Sequence, residues 1–404
     1  MKEESIVKNF INYTLEMMKN ESGNILNNVT GNLFFIHTPF QLFVAQQLIH
    51  EQKLKNNCMV YGYIGKNEHF LNIYNIIRID SMWKSCFFIE NITSWPQIDF
   101  RNILHTNNEI KKTDTYIKEI IKRNNISDIY FGDMNNRSYQ LLSFVYSKRG
   151  LHVNFFEEGS SHYVNLGHCA SYGNYLYRLS KSIISDLLIY KRYWGLCFGK
   201  WIYFKTMDYS LLPIYKRYSF VPYYYKENFD VIIHPSLLLS DKLKAIISEE
   251  VSNINLNNVI LFLSEPLDET SSDSYKMELE TIRIAFSDLS KDNVILIKFH
   301  PRENAFKQKE ILQVFSDLGF KYRVISQTIN IPVEYYLQLL NFKDIYTFLC
   351  STSFYNGYIY KKTRIHTLLP VYYPIIKKSG SPYIGEIEKI MADQRIMKLF
   401  VNIK

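Results

Sequence analysis

Short apolar runs separated by helix-like patterns recur along most of this chain, and that alternation constrains its fold more than any other feature. Asn32–Ile36, Cys58–Ile64, Cys86–Ile89, Ile129–Phe131 and Val153–Phe156 are such runs. After the first, Thr38 and Pro39 supply an N-cap and a first-turn proline, with Phe40, Phe43, Val44 and Leu48 behind them. Thr115–Lys122 and Tyr139–Lys148 also carry helical spacing. A second series opens at Asn258–Ser264 and continues through Asn293–Phe299, a helix over Glu303–Leu318 ended by Gly319, then Tyr322–Ile325 and Asp344–Leu349. Apolar strands that alternate with helices are covered on both faces, so the expected class is α/β with doubly wound parallel sheets.

At about 150 residues per domain, the 404 residues suffice for two such domains or three. The pattern predicts a helix and polar loop over 1–30, with Ile6, Val7, Phe10, Ile11, Met17 and Met18 at helical spacing. A first αβ domain is expected over 31–245 and a second over 246–404, joined near 240–257. An amphipathic helix from about Ile384 to Phe400 closes the chain. Residues 170–226 break the rhythm: Arg178, Lys181, Lys191, Arg192, Lys200, Lys205, Lys216 and Arg217 stand among Tyr175, Tyr177, Trp194, Trp201, Tyr203 and Phe204. Such a basic aromatic insertion suits an anionic membrane face or a groove for an acidic glycan. It equally describes a helical insertion whose aromatics are core and whose charges are solvated.

Composition narrows the class further. With 47% apolar and 21% charged residues the chain is neither disordered nor a small disulfide scaffold. Its net charge of +8 favours an anionic partner, and no nucleic-acid-binding motif accompanies it. The five cysteines are scattered without a CxxC, which argues against a metal or disulfide framework and for a reducing compartment. Lys2, Glu3 and Glu4 are unlike an export signal, and no apolar run is long enough to span a bilayer. The expected location is cytoplasmic, soluble or peripheral at the inner face of a membrane.

Open α/β sheets bind ligands beyond the carboxyl ends of their strands, which directs attention to the residues just after each apolar run. Glu157, Glu158 and Gly159 follow Val153–Phe156. Adjacent carboxylates raise one another's pKa toward a general base's range, and glycine allows a tight turn; a solvated acidic turn is the plainer account. His300, Pro301 and Arg302 follow Asn293–Phe299. A cationic imidazole and guanidinium beside a helix started by Pro301 suit a phosphate, or else form a cap and a surface charge. His234-Pro235 lacks both the arginine and the helix pattern and reads as structural.

Ser351 and Thr352 follow Asp344–Leu349, where hydroxyls and free N–H groups at a helix start cradle an anion or simply cap it. The segment Ser264–Glu269, with Asp268, offers carboxylates to an acceptor sugar or belongs to a plain loop. Glu334 precedes a helix and either accepts hydrogen bonds from ribose hydroxyls or complements the helix dipole. No Gly-rich phosphate loop, HExxH, GxSxG or Asp-x-Asp metal clamp is present.

In order, these stations resemble the motifs of the bacterial sialyltransferases: an acidic pair with glycine (Phe156-Glu157-Glu158-Gly159), an HP motif (Lys298-Phe299-His300-Pro301-Arg302) and a Ser-Ser/Thr motif (Cys350-Ser351-Thr352). The stretch Asn32–Leu42 is similar to the opening of glycosyltransferase family 52, the lipooligosaccharide sialyltransferase type. The resemblance spans about residues 32–375. It implies a GT-B fold, two Rossmann-like domains facing a central cleft, and inverting transfer from CMP-sialic acid to a cell-surface lipooligosaccharide or capsule acceptor, free or lipid-linked, with neither cofactor nor metal.

The resemblance also implies roles. His300 meets the departing phosphate, Ser351 and Thr352 hold it, Glu334 binds the cytidine ribose, and Gly159, Pro301 and Arg302 complete the donor site. The base is Glu158 or Glu157 by likeness to capsular polysialyltransferases, or Asp268 by likeness to family 52. Many relatives carry Asp-Asp where this chain has Glu-Glu, which places the longer side chain slightly further back. The alternatives are a polysialyltransferase, a UDP-sugar-dependent glucosyltransferase of the same fold, and a non-catalytic scaffold of a capsule assembly complex.

Overall fold

The structure, a computed structural model, describes residues 30–63, 74–77, 79, 82–90, 103–132, 142–143, 145–147, 149–157, 159, 213–221, 229–236, 239–265, 267, 274–300, 303–326, 329–355, 363–379 and 384–401. The helix expected over the first thirty residues, and most of the basic aromatic stretch 170–226, lie outside them. The chain forms two compact units, one holding the first six strands and the other holding residues 74–77, 79 and 159 with everything described from Phe220 onward.

The first unit contains β1 (Gly31–Ile36), α1 (Pro39–Glu51), β2 (Asn57–Tyr63), β3 (Ser85–Glu90), α2 (Ile103–Arg123), β4 (Ile126–Phe131), β5 (His152–Phe156) and β6 (Lys216–Ser219). Its strands lie in the order β3-β2-β1-β4-β5-β6, with every pairing parallel. Every residue of β1 is buried, because helices cover a parallel sheet on both faces. Register places Phe34 beside Tyr130 and Phe35 beside Phe131, and the rings stack at 4.3 and 4.8 Å. Gly31 begins β1 where a Cβ would sit 2.7 Å from the carbonyl of Asn124, so only glycine fits. Thr38 caps α1 as expected, its Oγ1 accepting the Gln41 N–H at 3.1 Å. The chain reverses direction across the sheet between β1 and β4.

The second unit contains β7 (Val231–Ile232), α3 (Asp241–Glu250), β8 (Val259–Leu263), α4 (Ser274–Ser287), β9 (Val294–Lys298), α5 (Ala305–Asp317), β10 (Lys321–Val324), α6 (Val333–Leu339), β11 (Asp344–Thr347), β12 (Arg364–Thr367), α7 (Leu369–Ser379), α8 (Ile384–Ala392) and α9 (Gln394–Met397). Five of its strands form a parallel sheet in the order β10-β9-β8-β11-β12, with the switch between β8 and β11. Phe286 on α4 anchors the core against Phe262, Phe315, Phe320 and Tyr346, at ring distances of 5.8, 5.0, 6.3 and 4.9 Å. Two helical parallel-sheet units bear out the α/β class read from the alternation and fit the two-domain Rossmann-like GT-B fold that the resemblance implied.

Local expectations are corrected in three places. The closing helix is two helices, because Asp393 accepts the Arg395 N–H at 2.9 Å and caps a new start. Lys216–Ser219, inside the stretch read as a break, forms β6. The helix after β9 begins at Ala305, four residues beyond Pro301, because Asn304 Oδ1 accepts the Lys307 N–H at 2.8 Å. Among the described residues no helix is long and apolar enough to cross a membrane.

Candidate functional site

Because the second sheet is parallel, β8, β9, β10 and β11 all deliver their following residues to one edge. At the end of β9 the chain turns through Phe299 and the partly buried His300. The His300 N–H donates to Glu303 Oε2 at 3.3 Å, and the Glu303 N–H donates back to the His300 carbonyl at 2.9 Å. Glu303 therefore closes the turn that carries His300. Pro301 and Arg302 lie outside the described residues.

Past β11 the chain enters a tight helical turn over Ser351–Tyr355. Thr352 is buried, and its Oγ1 donates to Glu334 Oε1 at 3.0 Å. The Thr352 N–H points to Cys350 Sγ at 3.4 Å, so this amide is turned toward a protein group. Glu334 occupies the first turn of α6. Burial raises its carboxyl pKa, while the Thr352 hydroxyl and the nearby Lys298 ammonium pull it down. The structure thus brings Glu334 and Thr352 into contact and places His300 and Ser351 on the same sheet edge.

Several residues at this edge are invisible to motif reading. Lys298, the last residue of β9, is buried with its Nζ donating to Asn330 Oδ1 at 2.9 Å and Ser326 Oγ at 3.4 Å. Burial pushes its ammonium down to about 8, against the attraction of Glu334 and Glu250. Glu250, at the end of α3, accepts the Ser326 N–H at 3.2 and 3.1 Å and the Tyr336 hydroxyl. That fixes Ser326 in the left-handed region at φ 63°. An apolar strand ending in lysine was the one available signal, since a lysine in that register must be buried or turn out.

Glu265 follows β8 within the segment considered for an acceptor sugar. Its carboxylate instead accepts the Leu349 N–H at 3.0 and 3.1 Å and the Thr347 hydroxyl at 2.5 Å, fixing the exit of β11. Burial pushes it up to about 7. Asp268 lies outside the described residues.

In the first unit, Glu157 follows β5 and is buried, accepting the Ser219 hydroxyl at 2.5 Å and donating its N–H to the Tyr218 carbonyl at 3.2 Å. Glu158 lies outside the described residues. Gly159 has φ 150°, a backbone conformation that favours glycine. His37 follows β1, with its N–H donating to Gln41 Oε1 at 2.7 Å and its Nδ1 3.0 Å from the Gly62 carbonyl. Burial pushes the imidazole down to about 4, so it is neutral at physiological pH and donates Nδ1–H to that carbonyl. No role was assigned to it from sequence; a histidine at the end of the first strand was the available signal.

The arrangement in the second unit can do three things chemically. His300 can meet an anion, the Thr352 hydroxyl can approach it once its link to Glu334 opens, and Glu334 can then accept hydrogen bonds from a polyol. Solved structures similar to the chain are distant in sequence. Neisseria meningitidis UDP-GlcNAc 2-epimerase bound to UDP-GlcNAc is 12% identical, covering 93% of this chain and 95% of its own, with a TM-score of 0.43. Arabidopsis thaliana UGT89C1 complexed with UDP is 10% identical, with 91% and 96% covered and a TM-score of 0.43. Methanocaldococcus jannaschii UDP-GlcNAc 2-epimerase in complex with UDP-GlcNAc and UDP is 13% identical, with 91% and 94% covered and a TM-score of 0.41. No curated protein matches the chain significantly. The model of one family, described as alpha-2,8-polysialyltransferase (POLYST), matches residues 32–369, from β1 to the start of α7 and across both sheets. The chain therefore belongs to the alpha-2,8-polysialyltransferase family.

Proposed function

We propose that this protein transfers sialic acid from CMP-sialic acid to a surface glycan, with inversion and without a metal. The observation that carries the reading is the edge of the second sheet, where the His300 turn, the Ser351–Thr352 turn and Glu334 follow β9, β11 and the start of α6. The donor's bond between the anomeric carbon and the phosphate oxygen breaks, and its electron pair goes to the phosphate. His300 meets that developing charge as an imidazolium, with Ser351, Thr352 and the neighbouring Arg302 and Pro301 completing the phosphate site. Glu334 receives the cytidine ribose. The acceptor hydroxyl attacks the anomeric carbon from the opposite face and yields its proton to a carboxylate. Glu158 is the base in this reading, with Glu157 and Asp268 as the alternatives and Gly159 giving the acidic turn its tight backbone.

The family name favours a polymerising enzyme that extends an already sialylated acceptor; a lipooligosaccharide acceptor of the family 52 kind is the second reading. Residues 172–226 would meet an anionic membrane surface. Incubation with CMP-sialic acid and either galactose-terminated or oligosialylated glycans should release CMP. Ladders of product on the sialylated acceptor support the polymerising form, and a single addition to galactose supports the second reading. Turnover of UDP-glucose with no turnover of CMP-sialic acid would reject both.

A further inference from the structure

Lys307 lies on α5, away from every motif, and is 4% exposed. Its Nζ meets Glu303 Oε1 at 2.9 Å, the backbone carbonyl of Glu265 at 2.9 Å, and the Glu278 carboxylate of α4. Glu303 and Glu278 are themselves buried. A buried ammonium is stable only with such partners, and loss of one leaves an uncompensated charge. Burial opposes the charge on Lys307, yet Glu278 and Glu303 hold its pKa above the ordinary lysine range.

Two connections run outward from this centre. Through Glu303 it reaches the His300 N–H, with Ser264 Oγ donating to Glu303 Oε1 at 2.5 Å as a brace from the end of β8. Through Glu265, whose backbone Lys307 grips, it reaches the Leu349 N–H and the Thr347 hydroxyl at the exit of β11. The His300 turn and the segment leading into Ser351–Thr352 therefore hang from one ionic cluster, although β8 separates their strands in the sheet. The cluster holds three carboxylates to one ammonium. Burial pushes Glu265 up to about 7 and Glu278 up to about 8, while Lys307 pulls both down.

We propose that Lys307 and Glu303 are positioning residues that hold the His300 turn and the β11 exit in fixed register, so that both sides of the phosphate subsite are preorganised by one buried ion cluster. The proposal rests on reading this edge as the donor site. Neither residue touches the donor; both act through the backbone they anchor.

The test compares the full-length wild-type protein with Glu303→Gln and with Glu310→Gln, a change on the same helix outside the cluster. Amide hydrogen exchange should quicken in Glu303→Gln at residues 299–304 and at 347–352, stay unchanged across β9, and stay unchanged everywhere in Glu310→Gln. With CMP-sialic acid and an acceptor, kcat should fall about 100-fold, the effect of misplacing a reacting group by roughly an ångström, while donor KM stays near wild type. Should Glu303→Gln fail to fold, Ser264→Ala removes one brace and leaves the ion pairs, and the same two segments should loosen to a smaller degree. Unchanged exchange at either segment, or a raised KM with kcat intact, would overturn the proposal. A wild-type protein that does not turn over CMP-sialic acid would reject the donor reading alone, because the exchange comparison decides the positioning claim without it.

Discussion

Thr352 donates its hydroxyl hydrogen to Glu334 at 3.0 Å, and both side chains are buried. The hydroxyl can therefore offer this hydrogen to a phosphate only after Glu334 releases it, which makes the two residues one unit. Thr352→Val keeps the shape and leaves the Glu334 carboxylate without this donor. The expected cost is about 1–3 kcal/mol of folding stability in urea unfolding. CMP should bind about tenfold more weakly by titration calorimetry, equivalent to roughly 1.4 kcal/mol. Wild-type affinity in this variant would remove Thr352 from the phosphate site.

His300→Ala should lower kcat by about 10²–10³-fold, the range for loss of one group aimed at the charge that develops in the transition state. CMP affinity should change far less, since Thr352 and Glu334 remain. Steady-state CMP release and equilibrium CMP binding, measured side by side, separate the two effects. Parallel assays of Glu158→Gln, Glu157→Gln and Asp268→Asn identify the base as the one whose loss abolishes turnover while leaving CMP bound.

The pH dependence of stability has two limbs of opposite sign. His37 takes a proton only near pH 4 when folded, against about 6.5 for a free imidazole, so between those values the unfolded chain binds more protons. Stability should accordingly fall as pH drops from about 6.5 to 4. Glu265 and Glu278 behave oppositely. Folded, they keep their protons up to about 7 and about 8, so their contribution is full below the ordinary carboxylate range and is lost as pH rises through those values. Melting temperature against pH should flatten on the acid side in His37→Gln and on the neutral side in Glu265→Gln. Parallel curves for variant and wild type would contradict these assignments.

Phe286→Ala removes the ring against which Phe262, Phe315, Phe320 and Tyr346 pack. A cavity that such rigid neighbours cannot fill should cost about 3–5 kcal/mol in urea unfolding. Gly31→Ala should also destabilise, because its methyl would meet the Asn124 carbonyl at 2.7 Å and force backbone to move.

Much of the architecture is legible without coordinates, and particular residues show why. Val259–Leu263 and Val294–Lys298 read as strands because a parallel sheet covered on both faces needs consecutive apolar side chains. Thr38 announces α1 because a cap is a local bond between residues three apart. β6 escaped notice because Lys216, Arg217, Tyr218 and Ser219 carry no apolar run; pairing with β5 makes them a strand. Pro301 suggested a helix start that Asn304 provides instead, its Oδ1 accepting the Lys307 N–H at 2.8 Å.

What the sequence by itself determined is the alternation of elements, the parallel α/β class and the strand ends where chemistry-bearing residues stand. What only the tertiary structure decided is which charged residues leave water. Lys298, Glu303 and Lys307 look like ordinary surface residues along the chain, yet each is buried against partners 28 to 42 positions away. Periodicity reports local geometry, whereas the stability of a buried charge depends on a counter-charge that folding alone brings beside it.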